Sequence, residues 1–357
     1  MDRAAMKPTL FALGALAALA CGREPASREP PSPAAPSAPP APRQSRELPP
    51  PPPTPAQLRA QTVDALTRAV AARDAGAYAA RFSDDAVSHG PAAKDEGKGR
   101  DAIRLRMERV LAPMSHPTLA VARTLSVGDR LVVEWVLSGA HDRDGLGVPA
   151  AGARLSMRGA SVLTFDDAGV VREERVYYDE GAFAAQAGAT DERPPPAETR
   201  PRSDAGSPAR VDAIDAPIDG DPQGRHVDVV RSLFAAFDAR DDAAYGALLR
   251  DDVTWHDASH ALPSRGAAEA RRFARALSKA LPDARATLTW AAGVGDRWVV
   301  AEVVVAGTHK ATLRGEKPTR RAVVMRSLDV LELDAGRVAR VWTYGDGADV
   351  RAQMGER

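Results

Sequence analysis

Side chains capable of chemistry recur in this chain at a fixed interval. His89 returns as His256, Asp84-Asp85 as Asp251-Asp252, Tyr177 as Tyr344 and Asp179 as Asp346, each 167 positions on. A histidine near a carboxylate can move a proton to or from a bound molecule. The stretch "WHDASH" (Trp255 to His260) places His256, Asp257 and His260 together, so His89, His256 and Asp257 are the candidates for proton transfer. A surface or turn role is the alternative for both histidines. Histidines four apart can share a metal only from one face of a helix, and "SHALP" reads as loop, so no metal site is assigned. Asp179 and Asp346 precede short helix-like segments that end in Gln-x-Gly, where an aspartate is a natural N-cap. The Asp84-Asp85 and Asp251-Asp252 pairs read as the start of a turn into a strand.

The elements that must position these residues are themselves repeated. Arg73-Asp74 becomes Arg240-Asp241, Tyr78 becomes Tyr245, Gly128-Asp129-Arg130 becomes Gly295-Asp296-Arg297, and Gln186 and Gly188 become Gln353 and Gly355. The offset slips by a residue or two between anchors and recovers, as loop insertions require. A period this long is a duplicated domain rather than a solenoid unit. Each copy opens with an amphipathic helix, carrying Val63, Leu66 and Val70 or Val230, Leu233, Phe234 and Phe237 at helical spacing. A short helix around the repeated tyrosine follows, capped by Asp74 and by Asp241 or Asp242. A third helix and a run of Val-, Leu- and Thr-rich strands joined by hairpin turns complete the unit. That order predicts an α+β class, a curved antiparallel sheet wrapped on helices.

Composition bounds the partners. Lys+Arg and Asp+Glu both total 48, so the net charge is zero and nothing favours nucleic acid. The N-terminus carries Arg3 and Lys7, then an apolar run from Thr9 to Ala20, then the single cysteine, Cys21. This pattern predicts a secretory signal over residues 1–20. The proline-dominated segment 21–56 cannot build a core and predicts an extended tether, up to roughly 100 Å at about 3.1 Å per residue. A second low-complexity stretch, 189–223, separates folded domains at 57–188 and 224–357.

The words "GRDAI" (Gly99 to Ile103), "GLGVPAAGARLSMRG" (Gly145 to Gly159) and "YYDEGAFAAQAG" (Tyr177 to Gly188) resemble the SnoaL-like branch of the NTF2-like superfamily, which includes polyketide (ester) cyclases. The second copy matches in its helices and C-terminal end but has "GEKPTRR" in place of "GVPAAG". "ALAC" likewise resembles the lipobox of bacterial lipoproteins, which implies that Cys21 is lipidated and that the protein sits on the cell envelope. The SnoaL resemblance implies a cone-shaped half-barrel with an internal pocket, and pairing of two such sheets. A flexible 35-residue linker reaches roughly 30 Å, so the two copies are expected to pair within one chain as a pseudo-dimer. The cyclases use an aspartate on the last strand for an aldol closure, and counting from Gln-x-Gly puts that slot at Val176 and Thr343. The accompanying histidine falls at Ser161 and Asp329. One strand period upstream of Val176 stand Glu174 and Arg175.

Valine transfers no proton and threonine is a poor base, so the expectation is binding without turnover of a small apolar ligand, or of an envelope protein. The expected pocket residues are His89, Tyr177, Trp255, His256 and Tyr344, with no cofactor and with membrane contact through the lipid anchor alone. Trp135, Trp298 and Trp342 are read as core or sheet-interface residues. The alternatives are a cyclase-, isomerase- or dehydratase-type enzyme using His89 or His256 with a nearby carboxylate, and a structural or assembly role.

Overall fold

Thr54 starts the first domain. Its hydroxyl accepts from the Gln57 amide while the Gln57 side chain accepts from Thr54 N, and Pro55 occupies the first turn, the arrangement that best satisfies a helix N-terminus. Helix α1 (Pro55–Ala72) therefore begins two residues ahead of the boundary expected at 57. The computed structural model describes residues 52–92, 96–188, 213–214, 224–260 and 262–355. The signal segment, Cys21, most of the tether and most of the 189–223 linker lie outside the described residues. Among the described residues no helix is long and apolar enough to cross a membrane.

After α1 come α2 (Ala75–Ala79), β1 (Phe82–His89), β2 (Glu96–Lys98), α3 (Gly99–Leu111), β3 (Met114–Val127), β4 (Arg130–His141), β5 (Ala153–Phe165), β6 (Val171–Tyr178) and α4 (Glu180–Gln186). A two-residue strand, β7 (Ala213–Ile214), then lies parallel to β3. The second domain repeats the series as α5 (Arg225–Ala239), α6 (Asp242–Ala247), β8 (Leu249–Asp257), β9 (Ser264–Arg265), α7 (Ala267–Ala280), β10 (Arg285–Val294), β11 (Trp298–Thr308), β12 (Ala322–Asp334), β13 (Arg337–Gly345) and α8 (Gly347–Met354). The sheets run β2-β1-β6-β5-β4-β3-β7 and β10-β11-β12-β13-β8-β9, the same order in both domains, and neither closes into a barrel.

Two expectations need correction. The sheets are mixed rather than wholly antiparallel, because β1 runs parallel to β6 and β8 to β13. The long excursion through α3 and the intervening hairpins supplies the crossover that a parallel neighbour requires. Asp84-Asp85 and Asp251-Asp252 lie within β1 and β8, not in turns; β1 changes register against β6 between Phe82 and Val87, across its pair. Such an irregularity bends a strand without ending it.

Each domain packs its first helix against the concave face of its own sheet. Val63, Leu66, Val70 and Phe82 join Leu131, Val133 and Leu163 in the first core, and Val230, Leu233 and Leu249 join Val299, Ala301 and Leu331 in the second. Fully burying side chains of this size contributes about 1.5–3 kcal/mol each. A third cluster belongs to both domains: Leu125, Val132, Ala160 and Val162 of one convex sheet face pack with Val294, Val300, Leu328 and Val330 of the other. The seam carries a matched pair of polar contacts. Tyr344 donates to Glu134 Oε1 at 2.6 Å, and Tyr177 donates to Glu302 Oε1 at 2.6 Å. Tyr177 and Tyr344 are equivalent, as are Glu134 and Glu302, so the domains are related by a pseudo-two-fold and pair within one chain.

Candidate functional site

Each cone encloses a cavity between its helices and the concave face of its sheet. Alternation along the last strand selects the lining: Glu174, Val176 and Tyr178 of β6 face the first cavity, and Thr343 and Gly345 of β13 face the second. The cavities measure about 90 Å³ and about 150 Å³.

The first cavity is apolar apart from one network. Glu174 is buried and accepts from the Tyr78 hydroxyl at 2.9 Å and the Ser88 hydroxyl at 2.6 Å, one on each oxygen. Arg106 donates to Ser88 Oγ at 2.7 Å and to the Ser88 carbonyl at 2.6 Å. Burial and the adjacent Glu174 carboxylate push the Tyr78 hydroxyl well above the usual phenol range. Nearby, the Trp135 indole donates to Ser161 at 3.0 Å. Both oxygens of this carboxylate are committed to the protein.

The second cavity differs in that respect. Asp329 on β12 pairs with Thr343 on β13, faces the cavity and is only 3% exposed. Its Oδ1 has no hydrogen-bond partner among the described residues. Burial pushes its carboxyl up to about 7, against the pull of the Thr343 and Ser327 hydroxyls. Tyr245, the counterpart of Tyr78, lines the same cavity, and its hydroxyl is raised by burial and by Asp329. The Trp255 indole donates to Thr343 Oγ1 at 2.9 Å, which fixes the hydroxyl next to Asp329. Apolar side chains, among them Phe234, Leu277, Val303 and Met325, make up much of the remaining wall.

Charged groups gather at one side of this cavity. Burial raises Asp346 to about 7, helped by the neighbouring Asp179 and Glu180 carboxylates. Burial also raises Asp179. Asp257 goes the other way: burial works to raise it, but the His260 hydrogen bond and Arg314 hold it well below the usual carboxylate range. His260 Nδ1 lies 3.1 Å from Asp257 Oδ2, and Ser259 donates to Oδ1 through its amide at 2.8 Å and its hydroxyl at 2.6 Å. Asp179 and Asp346 also cap α4 and α8, accepting from Gly181 N at 2.8 Å and Ala348 N at 3.0 Å. Among the described residues no group of three or more His, Cys, Asp or Glu is placed to hold a metal ion.

The residues singled out in the sequence fall in three places. Trp255 and Asp257 line the second cavity. His89 ends β1, each ring nitrogen 3.5 Å from a carboxylate, Glu96 and Glu173. His256 stacks on Trp342 at 5.3 Å, and Tyr177 and Tyr344 cross the seam. Strand alternation explains the displacement of the four. The neighbours that turn inward are Ser88, Trp255, Tyr178 and Gly345. Val176 and Thr343 face their cavities as the count from Gln-x-Gly required. The sequence placed Asp329 only at the slot of the family histidine and Glu174 only as a neighbour of Val176, with no role as an acid for either; an isolated acid among Val, Leu and Ser in a core strand was the available signal.

Family profiles match both halves of the chain. Residues 63–173 match the profile of the SnoaL-like domain, and residues 227–354 match that of the SnoaL-like polyketide cyclase. No curated protein sequence matches the chain. Among solved structures, IdmH from Streptomyces antibioticus is 24% identical with a TM-score of 0.33, covering 37% of this chain and 99% of that one. TsrD from Streptomyces laurentii is 20% identical, TM-score 0.34, covering 37% of this chain and 96% of that one. A protein with a ketosteroid isomerase-like fold from Catenulispora acidiphila, solved with trimethylamine, is 20% identical, TM-score 0.32, covering 36% and 93%. The chain carries two SnoaL-like domains in tandem, each a mixed α+β unit.

Proposed function

We propose that this chain is a cell-envelope lipoprotein, held through Cys21, whose second cone binds a small, largely apolar molecule bearing one hydrogen-bond donor. One observation carries the ligand assignment: Asp329 offers a buried carboxylate oxygen with no partner among the described residues, in an otherwise mainly apolar cavity. A buried acceptor left unmatched costs about 1–3 kcal/mol, and a ligand that donates to it recovers that energy. In the first cone the acid, Glu174, already accepts on both oxygens, from Tyr78 and Ser88; that cone would take a ligand mainly by apolar contact. The basic N-terminus, the short apolar run and "ALAC" before Cys21 support the envelope assignment.

The test compares 2-naphthol with naphthalene by fluorescence titration of the full chain at pH 8. The expected result is binding of 2-naphthol at least tenfold tighter, with the difference abolished in Asp329→Ala. Equal affinities for the two probes would overturn the reading.

A second reading, turnover, is favoured by the same residue. A carboxyl near neutrality can take a proton from a C–H next to a ligand carbonyl and return it elsewhere, as an isomerase does. Incubation with a cyclic β,γ-unsaturated ketone in D2O would then incorporate deuterium, and Asp329→Asn would stop it. Unlabelled ketone after prolonged incubation leaves binding as the function.

A further inference from the structure

Three seam positions hold arginine in the first domain and tryptophan in the second. Arg123 pairs across β3–β4 with Glu134 as Trp290 pairs across β10–β11 with Glu302. The second hairpin is one residue longer, so Arg130, aligned in sequence with Arg297, is matched in register by Trp298: they pair with Val127 and Val294, and Arg175 and Trp342 face Val162 and Val330. The exchange is not idle. The Arg123 guanidinium lies over Trp298 at 4.3 Å and over Trp342 at 4.0 Å, and Arg130 lies over Trp290 at 4.8 Å. Arg175 donates to Glu302 at 2.6 Å.

We infer that this arginine-for-tryptophan exchange makes each sheet face fit the other domain and reject a copy of itself. The pseudo-two-fold shows why. The contact between Arg123 and Trp298 is the counterpart of that between Trp290 and Arg130, so both are cation–aromatic contacts only when the partners are unlike. Two first domains paired in this way would set Arg123 against Arg130 twice, a juxtaposition of like charges. Two second domains would stack Trp290 on Trp298 twice, but would leave Glu302 without Arg175. Glu302 is 5% exposed; it would keep a tyrosine hydroxyl, Tyr344 in place of Tyr177, but no cation, and a buried carboxylate stripped of its cation is strongly destabilising. Repulsion and desolvation thus exclude both like pairs. The partner that fits the arginine face is a tryptophan-bearing second domain, from the same chain or, reciprocally, from another copy. Each assembly therefore contains the two unlike cavities in equal number.

The experiment uses the full chain with a specific protease site introduced within residues 189–212, cleaved after folding. Association of the halves is read by sedimentation with one half fluorescently labelled. The native halves are expected to remain a one-to-one pair. Trp290→Arg, Trp298→Arg and Trp342→Arg together give two arginine faces and should weaken association at least a hundredfold. Adding Arg123→Trp, Arg130→Trp and Arg175→Trp inverts the pattern and should bring association back to within tenfold of native. Native halves that re-sort into like pairs, or arginine-only halves that bind as natively, would overturn the inference. Should the sixfold variant lose its far-ultraviolet circular dichroism, the single exchange of Arg130→Trp with Trp290→Arg decides. Recovery over either single change supports complementarity, and additive losses refute it.

Discussion

The two cones share a scaffold and differ in what their acids are doing. Each places a tyrosine at the same point, Tyr78 or Tyr245, and each has one indole donating to a hydroxyl, Trp135 to Ser161 and Trp255 to Thr343. In the first cone the acid is on the last strand, Glu174, where the second has Val341; there, the acid is one strand over at Asp329, where the first has Ser161. Arg106 ties Ser88 in the first domain, whereas the equivalent position of the second is Phe273, which is exposed. The lesson is that a buried acid is informative only with its partners. Glu174, with both oxygens bonded, is part of the fold; Asp329, with one oxygen unpartnered among the described residues, is the acid on which the proposed site rests.

The largest expected consequence is an opposite response to removing the two acids. Glu174→Ala strands the Tyr78 and Ser88 hydroxyls and should destabilise the first domain by about 2–4 kcal/mol, read by denaturant unfolding. Asp329→Asn at pH 8 should leave the second domain unchanged or more stable, because it removes a charge that burial disfavours. Similar losses for both would erase the distinction.

The pH response sharpens it further. Asp329 and Asp346 are raised to about 7 in the fold, whereas aspartate in an unfolded chain titrates near about 4. Between those values these two groups hold protons in the fold that the unfolded chain has released, so their contribution to stability falls as pH rises from about 4 to 7. The Asp329 share is on the order of a few kcal/mol. Thermal melts across that range should show the fall, and Asp329→Asn should flatten part of it. A slope unaltered in the variant would mean that Asp329 does not titrate there.

A smaller contrast concerns the tyrosines. Tyr78→Phe removes a hydrogen bond to a buried carboxylate and should cost about 1.5–3 kcal/mol, whereas Tyr245→Phe should cost under about 1 kcal/mol. The smallest effect is one on which the domains should agree. Asp74→Ala and Asp241→Ala each remove a cap, to Ala77 N at 2.7 Å and Ala244 N at 2.9 Å, worth about 1 kcal/mol apiece. Unequal cap losses would show that the scaffolds have diverged as well.

The scaffold was legible because it is written in periodicity and caps. The 167-residue interval, Asp74 and Asp241 before their short helices, and Asp179 and Asp346 before α4 and α8 all report local geometry. The parallel pairing of β1 with β6 was hidden, since no local residue records which strand lies alongside. The site was less legible for a related reason. Choosing Tyr177 rather than Tyr178, or His256 rather than Trp255, depends on which face of a strand is concave, and a single residue of phase reverses it. The arginine–tryptophan exchange was visible as composition in each copy, but its meaning required the seam. The count from Gln-x-Gly reached Asp329 only as the slot of the family histidine, and the unmatched state of its Oδ1 among the described residues is a property of three dimensions.

The most direct test of the account is a crystal structure of the full chain soaked with 2-naphthol at pH 8. The account predicts one ring in the second cone, against Leu277, Val303 and Met325, with its hydroxyl in hydrogen-bond reach of Asp329 Oδ1. A ring found in the first cone instead, or in the second with its hydroxyl turned away from Asp329, would contradict it.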